Sequence, residues 1–490
     1  VKALFATSEI FPFNKTGGLG DVSAWLPPAL KRAGVDIRYI IPAYPQIMRS
    51  VFGEPIVVAD FGKKFRAKRL RILKASVRGN PLKFYLLDAP ELFARDGNPY
   101  SDSLGNNWGD NHIRFAALSW ATAQFALGEI DGFTPDVLHA NDWMTALAPA
   151  YLEVLKRKNP LVSTSSVLTI HNVAFQGLYP YSFYKDLELP NYMFNEDGAE
   201  FWQQVSFLKA GVMFADKLTT VSPTYASEIQ TPEYGFGLEG SLSSRRFSLT
   251  GILNGVDYDI WNPETDKLIA ANYSKNSMGG KKENKEALQE LCRLAPNPRI
   301  PLFAVVSRLT EQKGMDILID ALPALMMNNV QLAIMGTDQG GYYPRLAEIA
   351  AQYPEQLAVM EFDEELSHQV IAGADVFINP ARFEPCGLTQ MFAMKYGAIP
   401  YARRTGGLVD TIVDATFQNV AVRGIATGFL FDKYATHDFV FGISRILAAW
   451  RGDKKIWESI RRQGMIQNFS WDNAAAAYLD VYNTQMELGA

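Results

Sequence analysis

The chain has 490 residues, enough for about three average domains or two large ones, which excludes a single small binding module. Hydrophobic residues make up 48% and charged residues 20%, ordinary globular values that exclude a disordered, collagenous or disulfide-scaffold chain. A formal charge of −5 supplies no basic field for a phosphate backbone, so nucleic acid is not the expected partner. The two cysteines, Cys292 and Cys386, form no CxxC pair, so neither a zinc site nor a secreted disulfide framework is indicated and a reducing cytoplasm is expected. Val1–Ala6 runs straight into a strand-like segment without the pattern of a targeting peptide. Neither the apolar stretch Phe115–Gly128 nor the uncharged run Asn159–Tyr184 has the length and composition of a membrane span, and no membrane partner is expected.

Short apolar runs alternate with amphipathic stretches throughout, the pattern of parallel strands covered by helices on both faces. A first series predicts buried strands at Leu4–Thr7, Ile37–Ile41, Phe84–Leu87, Val137–His139, Val167–His171 and Leu218–Val221. Behind the first strand, Lys15-Thr16-Gly17-Gly18 precedes a predicted helix. Glycines let backbone N–H groups approach an anion, a helix N-terminus favours negative charge, and Lys15 adds a full cation. A plain strand-to-helix turn with a solvated lysine fits the same residues. Asn141-Asp142-Trp143 sets an acid beside an aromatic suited to a sugar ring, and His171-Asn172 opens a polar loop after a strand. A satisfied structural histidine is the simpler reading of His171 taken alone. Gly235-Phe236-Gly237-Leu238-Glu239-Gly240 matches G-x-G-x-x-G but follows Thr231-Pro232-Glu233-Tyr234 rather than a strand, and reads as a flexible cleft loop.

Asn254, Asp257, Pro263 and the run Ser274–Asn284 read as linker and loop, with a boundary near residue 255. The expected domains are 1–255 and 256–471, with a C-terminal helix of about 472–490 packing back on the first. Asp257-Tyr258-Asp259 resembles the D-x-D of metal-dependent sugar transferases, yet it lies at the presumed hinge, and no HExxH, P-loop or calcium loop accompanies it. No metal is expected.

A second series predicts strands at Leu302–Ser307, Val330–Met335, Val376–Asn379, Ile399–Ala402 and Phe429–Phe431. Met315, Leu318, Ile319, Leu322, Leu325 and Met326 form one apolar helical stripe, read as core. Arg308 and Lys313 stand at the carboxyl end of a strand, the charge type that diphosphate recognition needs, although ordinary surface cations look the same. Glu384 precedes a predicted helix at Gln390–Tyr396, where it could face a sugar hydroxyl while the N–H groups of Gly387 and Leu388 face a phosphate. A helix-capping Glu384 and a small buried Cys386 are the plainer readings. Lys15-Thr16-Gly17-Gly18-Leu19-Gly20-Asp21 echoes Arg404-Thr405-Gly406-Gly407-Leu408-Val409-Asp410, which with the strand rhythm predicts two similar doubly wound halves. Ligands in such folds bind beyond the carboxyl ends of the strands, and a deep cleft between facing domains is the expected site.

Taken in order, Lys15-Thr16-Gly17-Gly18-Leu19, Asn141-Asp142-Trp143, Thr169-Ile170-His171-Asn172, Thr220-Val221-Ser222-Pro223, Gly251-Ile252-Leu253-Asn254-Gly255, Ser307-Arg308 with Gln312-Lys313-Gly314, Glu384-Pro385-Cys386-Gly387-Leu388 and Arg403-Arg404-Thr405-Gly406-Gly407-Leu408 resemble the motifs of glycogen and starch synthases over nearly the whole chain. The resemblance implies a GT-B fold of two Rossmann-like domains. It also implies retaining transfer of glucose from ADP-glucose to the nonreducing 4-hydroxyl of an α-1,4-glucan such as glycogen, with neither metal nor other cofactor. On matching positions it implies that Lys15, Gly17 and Gly18 approach the donor and that Arg308 and Lys313 bind its diphosphate. His171, Asn254 and Glu384 would hold the glucose beside Cys386, Gly387 and Leu388, with Thr389 at the distal phosphate and Asp21 near the nucleotide. Tyr100, Asp142, Trp143 and Asn172 would line the sugar and acceptor side. Two positions depart from the family pattern: Phe362 where a Tyr often contacts adenine, and Met144 where His or Gln is commoner.

Cleavage of a glucosyl–phosphate bond develops negative charge on the leaving diphosphate, which fixed cations and helix N-termini stabilise. A two-carboxylate scheme with retention needs a nucleophile about 5 Å from the acid, and the sequence offers no clear pair. A same-face displacement is therefore expected, with the departing phosphate deprotonating the acceptor, His171 holding the sugar and Glu384 orienting hydroxyls. Two other readings stay open: a catalytically silent glucan-binding protein of the same fold, and a GT-B enzyme using UDP-glucose or sucrose.

Overall fold

Runs of Val, Ile and Leu without polar alternation cannot leave one face in water, and they become inner parallel strands. That is their fate in the computed structural model, which describes residues 1–489. The chain forms two units, one of Val1–Gly255 joined by the C-terminal segment from Trp471, the other of Val256–Ser470.

In the first unit the strands are β1 (Lys2–Ala6), β2 (Asp36–Pro42), β3 (Val51–Asp60), β4 (Arg71–Val77), β5 (Lys83–Asp88), β6 (Val137–Asn141), β7 (Ser165–Ile170), β8 (Leu178–Pro180), β9 (Glu200–Phe201), β10 (Gln204–Ser206), β11 (Lys217–Thr220) and β12 (Leu249–Gly251). Nine of them make one sheet in the order β12-β11-β7-β6-β1-β2-β5-β4-β3, and β8-β10-β9 make a small antiparallel one. The large sheet is parallel except at one edge, where β3, β4 and β5 run antiparallel. The second unit has β13 (Leu302–Val306), β14 (Gln331–Gly336), β15 (Leu357–Glu361), β16 (Val376–Asn379), β17 (Ile399–Arg403) and β18 (Phe429–Phe431). Their order, β15-β14-β13-β16-β17-β18, is wholly parallel. Each unit is thus a Rossmann-like doubly wound sheet. Chain direction across the sheet reverses at β1/β6 in the first and at β13/β16 in the second, and the carboxyl ends of those strands are where such sheets bind ligands.

Several segments differ from the sequence reading. The edge pair β3 and β4 was not predicted because β3 is exposed along most of its length and shows no buried run. The short strands β8, β9, β10 and β12 and the edge strand β15 were also missed. The polar run Ser274–Asn284 is not all loop, since a helix begins at Gly279 and extends to Leu291. Two of its three lysines are buried: Lys281 Nζ donates to Ala372 O, in the last turn of the helix Glu364–Gly373, at 2.8 Å, and Lys285 Nζ reaches Ile300 O and the Asp375 carboxylate, each at 2.7 Å. Burial lowers the Lys281 ammonium to a pKa of about 7.

The helix Trp471–Gly489 lies on the helix Gly18–Arg32 of the first unit. Its Tyr482 hydroxyl meets His139 Nδ1 at 2.7 Å, and His139 Nε2 meets Thr169 Oγ1 at 2.7 Å, so a buried polar chain ties it to β6 and β7. No helix among the described residues is long and apolar enough to cross a membrane.

Candidate active site

In the second unit the loop after β13 is knitted to the loop after β16. The Arg382 N–H donates to Gln312 O at 2.8 Å, and Gly314, at φ +76°, packs where a Cβ would stand 2.2 Å from Pro380 O. Only glycine fits that contact and that dihedral. The result brings Lys313 Nζ to 2.5 Å from Glu384 Oε2, an ion pair with little exposure of either side chain. Asn379 Nδ2 lies 3.5 Å from the same oxygen. Arg403 holds the loop from below, donating to Ala381 O at 3.2 Å and Arg382 O at 2.5 Å.

The echo motif gains a structural explanation here. The Gly407 N–H donates to Glu384 O at 3.1 Å, and Cβ atoms at Gly406 and Gly407 would fall 1.9 Å from Glu384 O and 2.2 Å from Cys386 O. The two glycines let one loop seat directly on the backbone of the other. Gln390 Nε2 clamps the carbonyls of Cys386 and Gly387, each at 3.1 Å. Gly387 sits at φ +71°, Leu388 caps the helix Thr389–Lys395, and the amides there have no preceding turn to bond. Arg308, half-buried past the end of β13, touches Gln339 Oε1 at 3.4 Å and forms no ion pair among the described residues. Phe362 follows β15 with 45% of its surface exposed, and Cys386 is buried. Strand ends thus gather Arg308, Lys313, Glu384 and the loop up to Thr389, with Phe362 beyond the sheet's edge strand.

In the first unit, Glu9 beyond β1 organises the predicted loop. Its buried carboxylate accepts from the Thr16 N–H at 2.7 Å and the Gly17 N–H at 3.2 Å, and its other oxygen accepts from the Tyr100 hydroxyl. This corrects the sequence reading: the Gly17 amide is bonded to a carboxylate of the chain rather than presented to an external anion. Lys15 pairs with Asp21 at 2.9 Å, while Gly17 and Gly18 face space with nothing within 4 Å of a Cβ. Burial raises the Glu9 carboxyl above its ordinary range and the Tyr100 phenol well above its own.

Asp142 is buried past β6 in a left-handed conformation, φ +58°, its Oδ1 accepting from the Trp143 N–H at 3.1 Å. Burial, reinforced by the Glu9 charge, raises its carboxyl well above the usual range. His171 Nε2 stands 3.0 Å from Asn141 Oδ1. Because Asn141 Nδ2 donates to Ala6 O at 3.1 Å, its Oδ1 is the acceptor, His171 carries its proton on Nε2, and Nδ1 offers a lone pair. Burial lowers the His171 pKa to about 3, so the ring is neutral. Asn254, after β12, is buried with its Oδ1 unpartnered. Asn172 Oδ1 accepts from the Ala174 N–H at 3.1 Å.

Trp143 is not the exposed stacking ring that the sequence suggested. It is half-buried, edge-on to Phe115 at 5.0 Å with Tyr100, Tyr179 and Phe207 around it, and a Cβ on Gly177 would strike it at 2.5 Å. Met144 is buried in the core. The 235–240 segment is pinned rather than loose, since Gln176 Nε2 donates to Phe236 O at 2.8 Å and Leu238 is buried. Asp257 Oδ1 accepts from the Asp259 N–H at 2.9 Å, a turn-capping role. Sequence reasoning missed Glu9, Asn379 and Arg403. For Glu9 the usable signal was an acid immediately past a predicted strand and upstream of the glycine loop.

Residues 2–244 match the starch synthase catalytic domain, and residues 293–463 match glycosyl transferases group 1. The chain is 41% identical over 484 residues to the glycogen synthase of Francisella tularensis subsp. novicida (strain U112), covering 98% of both, with the same figures for that of subsp. tularensis (strain WY96-3418). Among solved structures it resembles the catalytic domain of starch synthase IV from Arabidopsis thaliana bound to ADP and acarbose, with a TM-score of 0.87, 32% identity and 99% of each chain covered. Sucrose-phosphate synthase from Thermosynechococcus elongatus, 16% identical with a TM-score of 0.59 over 99% of each chain, shares the GT-B fold.

Proposed function

The chain belongs to the glycogen and starch synthase family of glucan-elongating glucosyltransferases, and from that premise we propose that it moves glucose from ADP-glucose to the nonreducing-end 4-hydroxyl of an α-1,4-glucan, releasing ADP with retention of configuration. The observation that carries the reading is the placement of Arg308, Lys313 and Glu384 on interlocked loops at the switch point of the second sheet. The ADP in the starch synthase IV structure supports the nucleotide.

Arg308, without a carboxylate partner, takes the diphosphate, and its fork suits two phosphate oxygens. Lys313 lies between Glu384 and that diphosphate, so negative charge developing on the leaving group draws on a cation already fixed in place. Glu384 accepts from glucose hydroxyls, and Phe362 offers its ring to adenine without a hydroxyl. From the first unit, Lys15 approaches the donor beside Gly17 and Gly18, with Asp21 on the nucleotide side. His171 Nδ1 and Asn254 Oδ1 accept from glucose hydroxyls, and the Asp142 carboxyl hydrogen-bonds to one. As the glucosyl–phosphate bond breaks, the acceptor 4-hydroxyl attacks the anomeric carbon from the same face and its proton passes to the departing phosphate oxygen. No metal or other cofactor enters this scheme. Cys292 and Cys386 are both free thiols, in keeping with a cytoplasmic setting.

The deciding experiment measures glucose incorporation into glycogen from ADP-glucose and from UDP-glucose, each with and without EDTA. Transfer from ADP-glucose at a rate unchanged by EDTA is the expected outcome. Preference for UDP-glucose overturns the donor assignment, loss of activity in EDTA overturns the metal-free scheme, and glucan binding without turnover from either donor overturns the enzymatic reading.

A further inference from the structure

Behind the Glu9–Gly17 loop lies a small cavity of about 10 Å³, walled in part by Asn14, Tyr44, Arg95, Trp108 and Arg114. Its polar atoms are unusual in being left over. Asn14, 8% exposed, accepts from the Ile10 N–H at its Oδ1 at 3.0 Å, and its Nδ2 has no partner among the described residues. The Tyr44 hydroxyl, on a side chain 4% exposed, and the buried Trp108 Nε1 are also unpartnered. Buried polar groups are nearly always satisfied, so three orphans around one cavity point to an occupant.

Charge identifies its class. Arg114 is 1% exposed and forms no ion pair among the described residues; its Nε and Nη1 donate to Leu92 O, Pro99 O and Asn111 Oδ1, while Nη2 makes no hydrogen bond. Arg95 is neutralised by Asp110 at 2.6 Å, and no carboxylate lines the cavity. A water accepts at most two hydrogen bonds and balances no charge. This wall presents Asn14 Nδ2, Trp108 Nε1 and the Tyr44 hydroxyl as donors around a guanidinium that has no carboxylate in direct contact among the described residues. We propose that the cavity is a resident site for a monatomic anion of the chloride class. Asn14 precedes Lys15 and Pro99 precedes Tyr100, so the anion ties together the two segments that carry those site residues.

Two measurements on the full chain test this. Crystals grown in bromide should show an anomalous peak in the cavity, and at matched ionic strength the melting temperature should be about 2–4 °C higher in chloride than in gluconate, because an ion bound only by the folded state stabilises it. Trp108→Phe should abolish the chloride dependence, with Tyr44→Phe as the second variant should the first not fold. Ordered water in place of the peak overturns the proposal. So does a peak without an anion-dependent melting temperature, which marks an adventitious ion only.

Discussion

Lys313 and Glu384 illustrate how a buried pair restricts replacement of either member. Glu384→Gln keeps the shape but leaves the Lys313 charge facing an amide in a site where neither side chain is more than slightly exposed, and stranding one ion of a buried pair costs about 3–5 kcal/mol. We expect kcat for glucosyl transfer to fall by about 10²–10³-fold, the scale for losing a fixed electrostatic contact, while ADP still binds by calorimetry through Arg308. Near-normal transfer would remove Glu384 from the mechanism. The neutral state of His171 makes a separate prediction. Burial lowers both His139 and His171 to a pKa of about 3, so both should keep neutral imidazole NMR shifts down to pH 5. An inflection of His171 near pH 6.5 would mean that water reaches the ring and that it is not held neutral by burial. Arg308, Lys313 and Glu384 could be picked out of the sequence because each stands just past a predicted strand. Glu9 has the same local signal, an acid just past a strand, but the burial that turns it onto the Gly17 amide depends on Tyr100, which is distant in the chain.

Glycines at element boundaries separate packing from ligand space. At Gly17 and Gly18 an added methyl meets nothing within 4 Å, and Gly17 is extended at φ −154°. Gly17→Ala and Gly18→Ala should therefore melt within about 1 kcal/mol of the parent, as surface changes do, yet raise KM for the donor if that space receives it. Gly407→Ala should do the reverse, because its methyl falls 2.2 Å from Cys386 O and forces apart the loops that present Glu384. Overpacking of this kind costs about 1–3 kcal/mol, and kcat should fall with it. Equal effects on melting in all three variants would refute the distinction. The repeated Gly-Gly motif was visible in the sequence, but not that its two copies differ in use: Gly17 and Gly18 border open space, while Gly406 and Gly407 are buried under a neighbouring loop. The same blindness hid the helix Gly279–Leu291, whose Lys281 and Lys285 look like solvated linker residues until their carbonyl partners are known. It also hid β3, because an edge strand need not bury a face.

At the scale of the whole molecule the rhythm of inner parallel strands was legible because both faces of those strands are covered, which writes an unbroken apolar run into the sequence. The chain passes between its two units twice, at Gly255–Val256 and at Ser470–Trp471, and the passages lie side by side: the Val256 N–H donates to Phe469 O at 2.7 Å, and a Cβ on Gly255 would strike Trp471 Cα at 2.6 Å. The last helix therefore completes the first unit, through Tyr482, His139 and Thr169. Tyr482→Phe leaves His139 Nδ1 unpaired in the core and should lower the stability of the first unit by about 1–3 kcal/mol. Acidification should act on the same unit. With the folded pKa of His139 near 3 and an unfolded value of about 6.5, the unfolded chain binds the extra proton between these limits. Stability from this group is thus complete above pH 6.5 and falls as pH drops toward 3, by about 1.4 kcal/mol per unit while the unfolded histidine is protonated. Denaturation at pH 7 and at pH 5, followed by calorimetry, should show a transition that moves down in acid and in Tyr482→Phe, and a second that Tyr482→Phe leaves in place. A variant that lowers both transitions equally would mean that the C-terminal helix supports the whole chain rather than the first unit.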